Sequence, residues 1–515
     1  MTLSFKWHHL PIAALLGALN VLAFAPFNAW PIQLLTLALL IGCLLRIDSV
    51  KHALIIGWAF GFGWSVCGVY WLYISMHVYG GMPGWIAALA VALLALLVGL
   101  YTGTAAAITV WLRNRWSASS LITALAIFPA LWALNEWCRG WLFTGFPWLV
   151  SGYAHTTSPL AGYAPIIGVY GIGAIAAFIS GCLALLPKKK LPSLIAIAVL
   201  LAGFGLHTIN WTEPSGKPIS VRLLQGNIPQ EMKFDPARID QALDLYKNLI
   251  SAAPADLIAT PEIAVPLLQT QLPPEYLPAI AQFAQQSGSH IALGIPITDG
   301  PNLYANSVLG FSPETAPSST DKSTIYRYDK HHLVPFGEFI PYGFHWFVNL
   351  MNIPLGDFNR GAVIQPPFAV KDQWVLPNIC YEDLFGDEIA AQLAASEAAG
   401  HPAATILLNM SNIAWFGDSI ALPQHLQISQ MRAIETGRPM LRATNTGTTA
   451  VIDPHGNLSA HLPPLTSGTL AATVQGFTGN TPYIVVGNRL LLILAALLLA
   501  GAWLAGRKKS ASKNN

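Results

Sequence analysis

Apolar residues run in long unbroken blocks through the first two-fifths of the chain and again near its end, with a shorter, mixed pattern in between. A span needs about 20 apolar residues to cross about 30 Å of hydrocarbon. Blocks of that order fall near residues 10–26, 30–46, 53–76, 84–112, 119–138, 165–187, 191–210 and 488–506. They predict an α-helical polytopic membrane bundle of about eight spans, seven within 1–210 and one within 488–515. The first block follows Lys6 as a signal peptide would. It lacks a clear small-residue cleavage site and six more blocks follow it within residues 1–210, so it reads as a retained helix.

Between 211 and 487 the period changes. The runs SVRLLQGNI, DLIATPE, HIALGIPI, NSVLGF, TIYRYDK, WVLPNIC, ATILLNMS, MLRATNT, TAVIDP and GTLAATV predict short strands. ARIDQALDLYKNLISAA, PEYLPAIAQFAQQ, DEIAAQLAASEAA and LPQHLQISQMRAIETG predict helices, the first with Ile239, Leu243, Tyr246, Leu249 and Ile250 at helical spacing. Strands alternating with helices make this an α/β domain. The ends of such strands are where functional groups usually sit.

Composition agrees with the pattern. The chain of 515 residues is 53% hydrophobic and 10% charged, against about 25% charged for soluble proteins. Residues 1–210 carry 11 of the 52 charged side chains (27 basic plus 25 acidic), and residues 211–488 carry 36, of which 13 are basic and 23 acidic, a net of −10. An acidic middle domain without a basic patch gives no reason to expect nucleic acid. Lys6, the pair Arg46 and Lys51, the pair Arg113 and Arg115, the run Lys188, Lys189 and Lys190, and the tail Arg507, Lys508 and Lys509 all fall on one side if the spans alternate. The positive-inside rule then puts both termini in the cytoplasm and the 211–487 domain outside.

Cys43, Cys67 and Cys182 lie within apolar blocks and read as small core residues. Cys138 sits at the outer end of the fifth block, where a disulfide to Cys380 is open and would block thiol chemistry. Cys380, in VLPNICYEDLFG, is the only cysteine of the middle domain and ends a strand run. Glu262 follows DLIATP, and Lys330 ends TIYRYD. Taken singly, these are a solvated turn acid, a surface lysine and an inert thiol. Together they form a complete set for acyl transfer. A thiol with pKa about 8.5 is only a few per cent thiolate at neutral pH. A carboxylate can take its proton as general base, and an ammonium can stabilise the tetrahedral oxyanion. No His–Cys pairing is visible, the adjacent His331 and His332 have poor spacing for a metal, and no glycine-rich phosphate loop follows a strand. No cofactor or metal is implied.

Glu in TPEIAVP, Lys in YDKHHLVPFGEFIP and Cys in ICYEDLFG, in that order, resemble the Glu–Lys–Cys triad of the nitrilase superfamily, whose fold is an αββα sandwich. SNIAWFGDS and QHLQISQMRAIETGRP extend the likeness. With spans on both sides of the domain, the whole chain resembles the apolipoprotein N-acyltransferases of the bacterial inner membrane. That resemblance implies an acyl chain taken from a phospholipid, typically phosphatidylethanolamine, onto Cys380. The chain then passes to the α-amino group of an S-diacylglyceryl-cysteine apolipoprotein. It implies Glu262 as base, Lys330 as oxyanion stabiliser, Glu338 as support for the lysine, and Tyr381 and Glu382 as residues shaping the pocket. Asn412, Trp415 and Phe416 would line the acyl cavity. A monomer with a periplasmic catalytic domain is expected.

The stretch 339–358, FIPYGFHWFVNLMNIPLGDF, is rich in large apolar residues, as an interfacial segment or a lid over an acyl groove would be. The aromatic loop 139–164 reads as part of a lipid path, with Glu136 and Arg139 placed to pair on one helix face. Two other functions compete: a membrane-anchored amidase acting on a small amide, and a transporter or scaffold whose outer domain only binds. Several spans beside an apolar loop disfavour the first, and few intramembrane charges disfavour the second.

Overall fold

The computed structural model describes residues 6–186, 190–230, 237–301, 303–315, 325–344 and 357–511, with side chains to 507. The chain divides into two compact units. The first comprises Met1–Leu72, Gly84–Asn210 and Val486–Asn515, and the second Tyr73–Pro83 with Trp211–Val485.

Among the described residues of the first unit, five helices are long and apolar enough to cross a membrane: Val50–Gly68, Gly84–Arg115, Ser120–Arg139, Pro159–Leu185 and Arg489–Arg507. The expected spans at 10–26, 30–46 and 191–210 form shorter apolar helices, His9–Ala23, Trp30–Leu44 and Leu191–Leu206. At 1.5 Å per residue, helices of this length reach only about 22–24 Å against about 30 Å of hydrocarbon. Small residues let neighbouring helices approach closely. A Cβ on Gly61 would lie 2.8 Å from the Gly99 Cα, and one on Gly57 would lie 2.6 Å from the Ala106 Cβ. Close backbone approach of this kind supplies helix contact where lipid removes the hydrophobic drive. Arg139 pairs with Glu136 at 3.7 Å, and the Ser151 N–H donates to Glu136 Oε1 at 2.7 Å. In the 139–164 loop, Trp148 through His155 are buried inside this unit, while Trp141 and Phe143 are exposed.

The second unit holds two six-stranded sheets. The first has the order β12-β1-β2-β3-β4-β5 and the second β11-β10-β9-β8-β7-β6. The strands are β1 (Glu213–Gln225), β2 (Leu257–Ala259), β3 (His290–Gly300), β4 (Leu303–Phe311), β5 (Tyr326–Asp329), β6 (Phe368–Val370), β7 (Gln373–Ile379), β8 (Ile406–Ser411), β9 (Met440–Thr444), β10 (Ala450–Ile452), β11 (Leu458–His461) and β12 (Gly468–Thr478). In each sheet three central strands run parallel, β1-β2-β3 and β7-β8-β9, and the outer ones pair antiparallel.

Strand alternation builds the layers. Leu223, Leu257, Ala259, Ala292 and Val308 face Val375, Ile379, Ile406, Leu408 and Met410 in a core shared by the two sheets. The intervening Leu224, Ile258, Ile291 and Leu293 face outward onto helices α1 (Ile239–Ser251) and α2 (Tyr276–Ser287). On the second sheet Leu376, Leu407 and Met440 face α3 (Gly386–Ala395) and α4 (Ala421–Thr436). The result is an αββα sandwich. All ten strand runs read from the sequence are present. The two unread strands, β6 and β11, are edge strands of three and four residues.

Candidate active site

Four candidate residues sit just past the ends of strands. Glu262 follows β2, Lys330 follows β5, Cys380 follows β7 and Asn412 follows β8. The turn carrying Glu262 is pressed against β3: Gly294 donates its N–H to Thr260 Oγ1 at 2.9 Å and accepts from the Val265 N–H at 3.2 Å. Only glycine allows this, because a Cβ at 294 would stand 2.2 Å from the Pro261 carbonyl oxygen. Cys380 has φ of 51°, a left-handed conformation that costs a residue with a Cβ roughly 1–2 kcal/mol. Strain of this kind persists only where the surroundings hold it.

The Lys330 ammonium has no solvent exposure and lies 3.1 Å from Glu262 Oε1 and 2.9 Å from Glu338 Oε1. Asn306, in the middle of β4, donates its amide to the same two oxygens at 2.8 and 2.7 Å. The remaining oxygens are also occupied. Glu262 Oε2 accepts the Asn412 N–H at 2.9 Å, and Glu338 Oε2 accepts the Val334 N–H at 2.9 Å. Burial works against the Lys330 charge, but Glu262 and Glu338 outweigh it and hold the ammonium above its ordinary range. Burial, then Glu262 and Glu338, push the Cys380 thiol well above the usual thiol range, against the pull of Lys330 and the Asn412 N–H. The Cys380 side chain is therefore held as a neutral thiol beside a hydrogen-bonded carboxylate and a fixed cation.

Glu382 is a four-way staple. Its Oε1 accepts the N–H groups of His331 (2.7 Å) and His332 (3.2 Å), the residues after Lys330. Its Oε2 accepts the Ile379 N–H at 2.6 Å and the Tyr328 hydroxyl at 3.0 Å. It thus ties the cysteine turn to the lysine strand. Tyr381 is buried against His332 and Phe385, with ring centroids at 5.8 and 5.2 Å. The Asn412 side chain is engaged by Gln230 and Asn445, both at 3.0 Å, so its backbone N–H faces the site. Trp415 and Phe416 are half-buried, and Trp415 meets Tyr79 edge-on at 6.2 Å. Residues 345–356 of the expected 339–358 lid lie outside the described residues. Cys380 and Cys138 are both free thiols. Sequence reasoning missed Asn306, whose only signal is a polar residue at the start of the strand run NSVLGF.

Comparison with known proteins assigns the class first. The carbon-nitrogen hydrolase family matches residues 220–483, the αββα unit. The apolipoprotein N-acyltransferase N-terminal domain matches residues 16–182. A Ralstonia nicotianae apolipoprotein N-acyltransferase is 50% identical, with 97% of this chain and 94% of that protein covered. A Bordetella bronchiseptica apolipoprotein N-acyltransferase is 42% identical, with 98% of each covered. The chain belongs to the apolipoprotein N-acyltransferase family. Among solved structures, an amidase from Nesterenkonia sp. is 18% identical, with 54% of this chain and 96% of that chain covered and a TM-score of 0.38.

Proposed function

We propose that the protein N-acylates apolipoproteins, taking the acyl chain from a phospholipid through a thioester on Cys380. The observation that carries this reading is the convergence of Glu262, Lys330 and Cys380 at three strand ends in a chain of this family.

In the first half-reaction the Cys380 thiol gives its proton to Glu262 as the sulfur attacks the ester carbonyl carbon. The developing oxyanion is stabilised by the Lys330 ammonium. The intermediate collapses by breaking the carbon–oxygen bond to glycerol, and Glu262 returns the proton to that oxygen, releasing a lysophospholipid. In the second half-reaction the α-amino nitrogen of the diacylglyceryl-cysteine attacks the thioester and Glu262 takes its proton. The sulfur leaves, is reprotonated, and an amide remains. Glu338 and Asn306 hold Lys330 and Glu262 in register; Glu382 holds the cysteine turn. Asn412, Trp415 and Phe416 belong to the acyl pocket, and phosphatidylethanolamine is the donor.

Residues 1–210 form seven spans and 488–515 an eighth, the short helices crossing with help from their flanking turns and local thinning of the bilayer. Residues 211–487 form a periplasmic catalytic domain of a monomer in the inner membrane. The lysine and arginine distribution of the short loops supports this orientation.

The test offers the purified protein phosphatidylethanolamine and an S-diacylglyceryl-cysteine peptide, and in parallel a small soluble amide. Acylation of the peptide amine, lost in Cys380→Ala, is the expected result. Hydrolysis of the amide with no peptide acylation would replace this reading with an amidase.

A further inference from the structure

A chain of buried polar groups that the acyl-transfer steps do not use runs behind the nucleophile and ends on its backbone. Asp383, Ser429, Arg442 and His425 all have 1% exposure or less. Arg442 Nη1 stands 3.4 Å from Asp383 Oδ2, Ser429 Oγ bonds both Asp383 and Arg442, and Arg442 Nη2 lies 3.0 Å from His425 Nδ1. His425 Nε2 lies 3.3 Å from the Cys380 carbonyl oxygen, which also accepts the Asn409 amide at 3.3 Å.

This geometry fixes the imidazole tautomer. A guanidinium only donates, so the nitrogen facing Arg442 carries no proton. The proton is on Nε2, and the imidazole donates it to the Cys380 carbonyl. Burial and the neighbouring Arg442 charge hold His425 well below the ordinary histidine range, so it stays neutral.

We infer that His425 is a positioning residue for the nucleophile: by holding the Cys380 carbonyl it holds the left-handed cysteine turn, and with it the direction of the thiol and of the following peptide N–H. The conformation at Cys380 is disfavoured on its own and needs an anchor. Asn409 is one anchor, itself fixed to Asn378 at 2.7 Å. His425 is the other, braced through Arg442 to Asp383, three residues beyond the nucleophile. The peptide is trans and planar, so pinning its carbonyl to one side sends the Tyr381 N–H to the other. Relaxation of this turn moves the sulfur relative to Glu262 and Lys330, and displacement on the scale of 1 Å costs on the order of 10²-fold in rate.

The inference rests on the reading of Cys380 as the acylated residue, and its test separates the two. Full-length wild type, His425→Leu and His425→Gln are compared in detergent for single-turnover acylation by phosphatidylethanolamine. Cys380 alkylation by iodoacetamide and thermal unfolding are followed alongside. Leu removes donor and acceptor; Gln can place an amide N–H where Nε2 stood. His425→Leu is expected to acylate about 10- to 100-fold more slowly, with unchanged dependence on donor concentration and altered iodoacetamide reactivity. His425→Gln should recover most of the loss. Wild-type acylation rates in a folded His425→Leu would overturn the inference. So would a folded His425→Gln as slow as His425→Leu, because packing of the ring would then explain the effect; if His425→Leu does not fold, a folded His425→Gln slowed more than 100-fold overturns it. Failure of wild type itself to acylate counts against Cys380, not against His425.

Discussion

Glu262 and Lys330 form a buried ion pair at 3.1 Å, and the lysine side chain has no solvent exposure. The carboxylate and the ammonium therefore support one another. Glu262, with Glu338, holds the Lys330 ammonium above its ordinary range, and in the proposed reaction the two act as base and oxyanion partner. Glu262→Gln preserves much of the shape but removes the base. Acyl-enzyme formation should fall by about 10²- to 10⁴-fold, with little change in the concentration of phospholipid that half-saturates the enzyme. Rapid-quench measurement of the thioester checks this; a loss below tenfold would assign the base elsewhere.

Asn306 donates to both Glu262 and Glu338. Asn306→Asp places a third carboxylate within about 3 Å of two others, where like charges cannot all ionise. One member of the cluster then holds a proton at neutral pH. The acid limb of the rate profile should move to higher pH, and the rate at pH 7 should drop by roughly tenfold or more, because protonated Glu262 is no base. An unchanged profile would remove Asn306 from the electrostatics of the site.

Glu382 accepts four hydrogen bonds. In Glu382→Gln the new amide N–H₂ must face two donors. Each donor left unpaired in the interior costs about 1–3 kcal/mol. The variant should unfold earlier in denaturant and acylate more slowly, since the cysteine turn and the lysine strand lose their shared anchor. Unaltered stability would show that the turn is held by other groups.

The Cys380 thiol is held above the usual thiol range by burial and by the two glutamates. A raised pKa keeps the thiol protonated through neutral pH. Only thiolate reacts with iodoacetamide, so its alkylation should be slow at pH 7 and climb with each unit past pH 9. Peptide mapping across a pH series reads this for Cys380 separately from the four other thiols. A plateau below pH 8 would contradict a neutral resting thiol.

Much of this site is legible in the sequence because its chemistry lies at strand ends. Glu262, Lys330 and Cys380 each follow a strand run, and the order of those runs along the chain needs no contact information to be read. Other parts depend on pairing across the fold. Asn306 becomes significant only when β4 lies between the Glu262 turn and the Lys330 strand end. His425 reads as one polar residue on a helix until α4 packs behind the cysteine turn. Asn412 reads as a pocket side chain, yet Gln230 and Asn445 occupy its amide and leave its backbone to face Glu262. In the first unit, hydropathy finds the apolar helices but not their ends. Gln33 and Asn20 are fully buried within helices read only as apolar spans, with Gln33 bonded to His155 and Asn20 to Thr36.

The central claim is a Cys380 thioester drawn from a membrane lipid. Intact-protein mass spectrometry after incubation with phosphatidylethanolamine tests it most directly, comparing wild type with Cys380→Ala. A hydroxylamine-sensitive acyl mass on wild type alone, discharged by a diacylglyceryl-cysteine peptide, is the predicted result. A folded, reduced wild-type protein that carries no such mass, even when quenched within milliseconds, would contradict the account.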